Sequence, residues 1–320
     1  MAIINITIGY SGDFVLTTQQ VNLLKELFPD INFFVSNSED IDLEVLQSTH
    51  AFVGWPTNDM LGHMPNLKWI QLPSAGANGI LANTNLHSET AVTNSRGVFG
   101  VPGAEHALAL MLYFSRQLYV HVEQQARRYW RKSPASSEIE GSTVGIVGLG
   151  DIGLQLAKRV KSLGATVLGV KNTAGACPPF VDEVHASDKV EEVLRHSDYV
   201  INTLPLTPDT KGFFSATRLS VIKRGAVFIN IGRGATVDEG ALIDHVRAGR
   251  FGGVGLDVTN EEPLPASSPL WTLPNTIITS HSVGASPKVN DRRFNLIVNN
   301  IRNFMEGRKL ENLVDRVRGY

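Results

Sequence analysis

The stretch that most constrains this chain of 320 residues is Thr143–Gly153, TVGIVGLGDIG, near its middle. Thr143–Val147 is an apolar, β-branched run. Gly148-Leu149-Gly150-Asp151-Ile152-Gly153 follows, and then Leu154–Val160 in a helical pattern. Strand, glycine turn and helix in that order are the context a dinucleotide fingerprint requires. Gly148 permits the tight turn, Gly150 lets backbone approach a pyrophosphate, and Gly153 lets the helix pack on the strand. The N–H groups at the helix start then face the anion, with Asp151 and Ile152 in the same turn.

The fingerprint is not at the N-terminus. Before it, Ala2–Ile8, Ile31–Val35, Ala51–Val53 and Lys68–Leu72 read as strands, and Thr17–Phe28 reads as a helix opened by a Thr17/Gln20 capping box. After it come Thr166–Val170, Tyr199–Leu204, Ala226–Ile231, Gly253–Val258 and Thr276–Thr279, six strands counting Thr143–Val147, and a closing helix from Val289 to Met305. The expected fold is α/β, with two Rossmann-like domains and doubly wound parallel sheets. The cofactor domain, 99–285, is expected as an insertion into a substrate domain made of 1–98 and 286–320. Crossovers near Gly97–Gly100 and Gly284–Pro287 would make a hinge beside a cleft.

Ala104–Leu112 is apolar nearly all round, so it is expected to be buried between domains or in an oligomer interface. With the Gln117–Ser137 arm, which ends in a Ser/Pro loop, it suggests a homodimer. Trp130 either reaches a partner's cleft or packs within the arm. His106 reads as a satisfied interface histidine, not a catalyst.

A formal net charge of −2 provides no basic field for nucleic acid or an anionic membrane. The cluster Arg127, Arg128, Arg131 and Lys132 reads as a solvated helix face. Cys177 is the only cysteine, so no disulfide within the chain is possible; with Pro178-Pro179 it reads as a surface loop in a reducing, cytoplasmic setting. The start, MAIINITIGY, is a strand and not a signal peptide.

Hydride exchange with a hydroxy or keto acid needs three groups besides the nicotinamide. These are a cation for the carboxylate, a proton donor/acceptor, and a group that tunes that donor. Arg233, Glu262 and His281 all sit at ends of expected strands, where α/β sheets place ligands. Arg233 between Gly232 and Gly234 presents a guanidinium for two parallel hydrogen bonds to a carboxylate. Position 281 holds a histidine, a side-chain type that can pass a proton to a carbonyl oxygen as hydride arrives. A carboxylate beside it stabilises the imidazolium. Glu261 competes with Glu262 for that part, and spacing alone does not separate them.

These segments resemble the D-2-hydroxyacid dehydrogenase family over nearly the whole chain. The resemblance implies a catalytic set of Arg233, in the N-x-[GS]-R-G turn, Glu262, directly before Pro263-Leu264-Pro265, and His281. It selects Glu262 over Glu261. It also implies that Ser74-Ala75-Gly76-Ala77-Asn78 holds the substrate carboxylate with backbone amides. Asn94-Ser95-Arg96-Gly97 resembles the family's hinge and Ala104-Glu105-His106 its interdomain helix. Leu204-Pro205-Leu206-Thr207, with Thr210, resembles the family's loop over the cofactor, and Asp257 matches the Asp that faces the nicotinamide carboxamide in the family. Ile231, Gly232 and Gly284 complete the implied cofactor contacts. No metal is implied.

Ser280 and Ser282-Val283-Gly284 depart from the commoner residues around the histidine and are expected to change only loop detail. A further departure concerns cofactor choice. NAD-preferring members carry Asp where this chain has Lys171, followed by Asn172 and Thr173. An acid there repels a 2′-phosphate, whereas Lys171 attracts it and Asn172 and Thr173 donate hydrogen bonds, so NADP(H) is expected over NAD. The expected reaction is reduction of a 2-keto acid to a D-2-hydroxy acid. The competing reading is a dinucleotide-sensing regulator of corepressor type with little turnover. Trp55 and Tyr10 are candidates for the substrate side-chain pocket or for core.

Overall fold

The structure is a computed structural model that describes residues 3–132, 136–173 and 175–319. Ala2, where the sequence places the start of the first strand, and residues 133–135 of the Ser/Pro loop lie outside them. The chain divides into two compact units, 1–98 with 286–320, and 99–285.

The first unit contains β1 (Ile4–Tyr10), α1 (Thr18–Leu27), β2 (Ile31–Asn37), α2 (Leu43–Ser48), β3 (Ala51–Val53), α3 (Asn58–Gly62), β4 (Trp69–Gln71), α4 (Asn78–Leu81) and β5 (Ala91–Thr93). The sheet order is β2-β1-β3-β4-β5 and every neighbouring pair is parallel. Strand alternation makes two cores. Ala51 and Val53 join Ile6, Ile8 and Trp69 on one face, while Phe52 joins Ile70 and Val92 on the other. The expected capping box starts α1: Thr17 Oγ1 accepts from Gln20 N–H, and Gln20 Oε1 accepts from Thr17 N–H.

The second unit contains α5 (Gly100–Ser115), α6 (Leu118–Ala126), β6 (Thr143–Val147), α7 (Asp151–Ser162), β7 (Thr166–Lys171), β8 (Glu183–Ala186), α8 (Val190–His196), β9 (Tyr199–Asn202), α9 (Ala216–Val221), β10 (Val227–Asn230), α10 (Glu239–Arg247), β11 (Gly253–Leu256) and β12 (Thr276–Ile278). The order β12-β11-β10-β9-β6-β7-β8 is all parallel and reverses direction between β6 and β9. A doubly wound sheet offers its ligand crevice at such a reversal, beyond the carboxyl ends of the strands.

The sheet has seven strands and not the expected six. The added one, β8, is a short, polar edge strand with no buried residue, so it carries no apolar signal. In the first unit β5 also went unread, being only three residues long. The burial of α5 has a simpler cause than an interface. Ala104, Ala107, Leu110, Met111 and Phe114 enter the core that Val144, Ile146, Ile201 and Ile229 build, so α5 is a layer of its own unit. α6 buries no residue, and Arg127, Arg128, Arg131 and Lys132 are all exposed; they are solvated as expected but form no helix face, because α6 ends at Ala126 and Arg127 is its C-cap. Cys177 is exposed. Among the described residues, no helix is long and apolar enough to cross a membrane.

The last helix, α11 (Pro287–Met305), belongs to the first unit. Ser286 caps it and Pro287 occupies its first turn, where a missing N–H costs nothing. Its Phe294, Ile297 and Ile301 complete the core beside Ile6, Ile8 and Trp69.

Candidate active site

The fingerprint turn follows β6 at the point of strand reversal. Gly148 has φ 108°, a left-handed value that favours glycine. A Cβ on Gly153 would lie 2.1 Å from the Gly148 carbonyl oxygen, so only glycine lets α7 close on the turn. A Cβ on Gly150 would meet nothing within 4 Å, which leaves an open concavity over the backbone. No side chain caps α7, so its first N–H groups remain for an anion. Those features fit a dinucleotide pyrophosphate. Asp151 and Ile152 supply backbone there, but their side chains turn elsewhere. The Asp151 carboxylate lies against Gly100 and Ile152 against Gly103, both of α5.

Arg233 follows β10 and is half-buried. Its flanking glycines have a packing reason beyond exposing the guanidinium. A Cβ on Gly232 would meet the Leu204 carbonyl oxygen at 2.6 Å, and one on Gly234 the Thr259 carbonyl oxygen at 1.9 Å. Burial pulls the Arg233 pKa below its ordinary value and the Glu262 charge opposes that pull. A guanidinium is still protonated at any working pH. Two asparagines hold the turn. Asn202 Nδ2 donates to Asn230 Oδ1 at 2.9 Å and to Thr236 Oγ1 at 2.7 Å, while Asn230 Oδ1 accepts from Gly232 N–H at 3.1 Å. Sequence reasoning did not single out Asn202 or Thr236. Asn202 has only the signal of a polar residue at the end of an apolar strand, and Thr236, in the turn after Arg233, has none.

His281 Nδ1 lies 2.6 Å from Glu262 Oε2. The other carboxylate oxygen, Oε1, accepts from Thr259 N–H at 3.1 Å, which fixes the Glu262 rotamer. The imidazole and carboxylate are 43% and 37% exposed, so the pair is open on one side. Among the described residues, Nε2 of His281 has no hydrogen-bond partner, and the competing Glu261 makes no ion pair with the histidine.

Asp257 is buried, at 1% exposure. Its Oδ1 accepts from Thr279 Oγ1 at 2.5 Å and from Ser282 N–H at 3.0 Å, and its Oδ2 accepts from Val283 N–H at 3.0 Å. The carboxylate thus builds the loop that carries His281. Gly284 packs against the Phe99 ring, and Ile231 is a core side chain whose N–H donates to Asn202 O. Thr210 Oγ1 donates to Pro205 O at 2.6 Å and accepts from Thr207 N–H at 2.8 Å, closing the loop that begins at Leu204. Lys171 ends β7 half-buried, with no carboxylate at ion-pair distance among the described residues, and Asn172 and Thr173 beside it are exposed.

In the first unit, the 74–78 loop follows β4. Asn94 Nδ2 donates to Ala75 O at 2.9 Å, Ser95 N–H to Ser74 O at 2.8 Å, and Arg293 Nε to Pro73 O at 2.9 Å. Trp55 Nε1 donates to Ser74 Oγ at 3.1 Å, and Ser74 Oγ donates to Gly76 O at 2.8 Å. The loop's carbonyl oxygens are used inward. Asn78 begins α4, its side chain exposed. Trp55 stands edge-on to Phe14, which meets Tyr10 edge-on, so both residues belong to one aromatic cluster.

A family model for the NAD-binding domain of D-isomer specific 2-hydroxyacid dehydrogenases matches residues 108–283. A glycerate dehydrogenase from Methylorubrum extorquens is 32% identical over 80% of this chain and 82% of its own length. A D-isomer specific 2-hydroxyacid dehydrogenase from Xanthobacter autotrophicus, solved with NADPH and MES, has a TM-score of 0.86 at 30% identity over 100% of both chains. An NADPH-dependent glyoxylate/hydroxypyruvate reductase from Sinorhizobium meliloti, solved with NADP and sulfate, has a TM-score of 0.85 at 26% identity over 99% of this chain and 100% of its own. With a glycine turn that fits a dinucleotide at the strand reversal and an imidazole–carboxylate pair on the loops that follow β11 and β12 of the same sheet, the chain belongs to the D-isomer specific 2-hydroxyacid dehydrogenase family and is an NAD(P)-dependent oxidoreductase of CH–OH groups.

Proposed function

We propose that this protein reduces a 2-keto acid to a D-2-hydroxy acid with NADPH, with His281 as proton donor. The observation that carries the reading is the 2.6 Å contact of His281 Nδ1 with Glu262 Oε2. In the imidazolium, the Nδ1 proton is spent on that carboxylate, and Nε2–H is left to donate to the substrate carbonyl oxygen. Glu262 balances the imidazolium charge and fixes the ring. Arg233 binds the substrate carboxylate through its guanidinium. The backbone of the 74–78 loop is a second carboxylate-binding element, oriented from behind by Asn94, Ser95 and Arg293. The nicotinamide, when bound, supplies the hydride. The net change is addition of one hydride to the carbonyl carbon and one proton to its oxygen. Residues 99–285 act as the dinucleotide-binding domain, and 1–98 with 286–320 as the substrate domain.

The cofactor preference rests on Lys171. A lysine free of carboxylates at the end of β7 attracts a 2′-phosphate where an acid would repel it. Asn172 and Thr173 donate to the same group. The NADP and NADPH complexes of the relatives agree with this assignment. The test compares kcat/KM for NADPH and NADH across keto acids from glyoxylate to phenylpyruvate. Lys171→Ala is expected to lower the NADPH value about 10- to 100-fold, the range of one lost hydrogen bond to a charged group, and to leave NADH nearly unchanged. A wild-type preference for NADH overturns the assignment.

A further inference from the structure

His106 is on α5, far in sequence from the proposed chemistry, yet its ring is tied to the loop that carries His281. Nε2 of His106 lies 3.1 Å from Thr279 Oγ1 and 3.6 Å from Asp257 Oδ1. Thr279 has one hydroxyl proton, and its 2.5 Å partner, the Asp257 Oδ1 that also takes Ser282 N–H, accepts it. The Thr279 proton therefore goes to Asp257, and Thr279 accepts from His106, which must carry its proton on Nε2. The result is a directed chain from His106 through Thr279 to Asp257.

That chain ends on the residue that shapes the proton donor's backbone. Asp257 takes Ser282 N–H and Val283 N–H on its carboxylate and His281 N–H on its main-chain oxygen at 2.8 Å. His281 itself has φ 49°, a left-handed conformation that is unfavourable for a residue with a Cβ and that persists only when its surroundings hold it. The bonds to Asp257 are that restraint. They aim the imidazole at Glu262.

We propose that His106 is a positioning residue for His281, acting through the Thr279 hydroxyl on the Asp257 carboxylate. The inference rests on His281 being the proton donor. It gives a working part to a histidine that its apolar helix suggests is only filler, and it explains why a hydroxyl stands two residues before His281.

The test uses the full-length enzyme in keto acid reduction with NADPH. His106→Phe and Thr279→Val each remove one link. Each is expected to lower kcat about tenfold while KM for NADPH stays within about twofold, because aim is lost and the cradle is not. His106→Gln, which keeps an N–H at comparable reach, and Thr279→Ser are expected to restore most of kcat. The double variant His106→Phe/Thr279→Val is expected to be no worse than the poorer single, since both cut one chain. Turnover within about twofold of wild type in Thr279→Val and His106→Phe overturns the proposal. So does an equal loss in the Gln and Phe variants, or losses that multiply. If His106→Phe does not fold, the near-isosteric Thr279→Val decides with its Ser counterpart. His281→Ala in the same assay separates the two readings: normal turnover there removes the proton-donor reading itself, whereas a dead His281→Ala beside a normal Thr279→Val removes only the part given to His106.

Discussion

His281 is fixed twice, by Asp257 at its backbone and by Glu262 at its ring. The two restraints predict different losses. His281→Ala removes the proposed proton donor and is expected to lower kcat about 10²- to 10⁴-fold with the NADPH affinity retained, as read by steady-state kinetics and a fluorescence titration. Glu262→Gln keeps a carbonyl oxygen for the ring but loses the charge, and a fall of about 10- to 100-fold is expected. Near-normal turnover in the alanine variant would remove His281 from the mechanism. At this scale the sequence was most legible where chemistry demands a residue type. A strand-end arginine between glycines and a strand-end histidine stand out by composition alone. The choice between Glu261 and Glu262 did not, because both carboxylates are within reach by spacing, and the local turn in which Thr259 N–H donates to Glu262 Oε1 fixes the rotamer of one of them. His106 was illegible for a different reason: its partner Thr279 is 173 residues away.

Elements were legible where apolar period and caps agreed. The fingerprint strand and the capped α1 announce themselves locally, and so does the last helix, although it starts at Pro287, behind the Ser286 cap, and not at the expected Val289. β8 did not, because Glu183-Val184-His185-Ala186 is paired on one side only and needs no apolar face. What holds that edge is the preceding Asp182. Its carboxylate accepts from Lys161 Nζ, in the last turn of α7, at 2.6 and 2.8 Å, and from Val167 N–H of β7 at 2.8 Å. The Lys161 bond and then the Val167 N–H hold its pKa below the usual carboxylate range. A depressed folded pKa stabilises the fold above the unfolded pKa, near 3.9, and that stabilisation is lost as pH falls through the folded value. Asp182→Asn is therefore expected to cost about 1 kcal/mol at pH 7, a modest figure for a carboxylate this exposed. In urea unfolding the difference from wild type should shrink below about pH 4. A difference that stays constant down to pH 2.5 would contradict the clip.

At the scale of the whole molecule, two parallel sheets follow from the strand run, but their partner does not. α5 spends its apolar face inside its own unit, so that face no longer argues for a dimer. What still does is the exposed apolar surface beyond it: Leu118 at 44%, Val122 at 60%, Tyr129 at 56% and Trp130 fully exposed. A homodimer through α6 and the arm is the proposed covering. Sedimentation equilibrium is expected to give the mass of two chains, and Leu118→Asp with Val122→Asp is expected to give one; a wild-type monomer refutes the proposal.

The split of the first unit across both ends of the chain has a consequence for how the protein is made. Residues 99–285 are continuous and include both of their cores, so this unit is complete once it has left the ribosome. The strands translated before it are not, because Phe294, Ile297 and Ile301 come from α11, which is translated after residues 99–285. Until α11 emerges, that β-sheet has one apolar face covered only in part, by Phe14, Leu16 and Leu24, a state that attracts chaperones and aggregation alike. The sheet translated before residues 99–285 thus finishes folding after them.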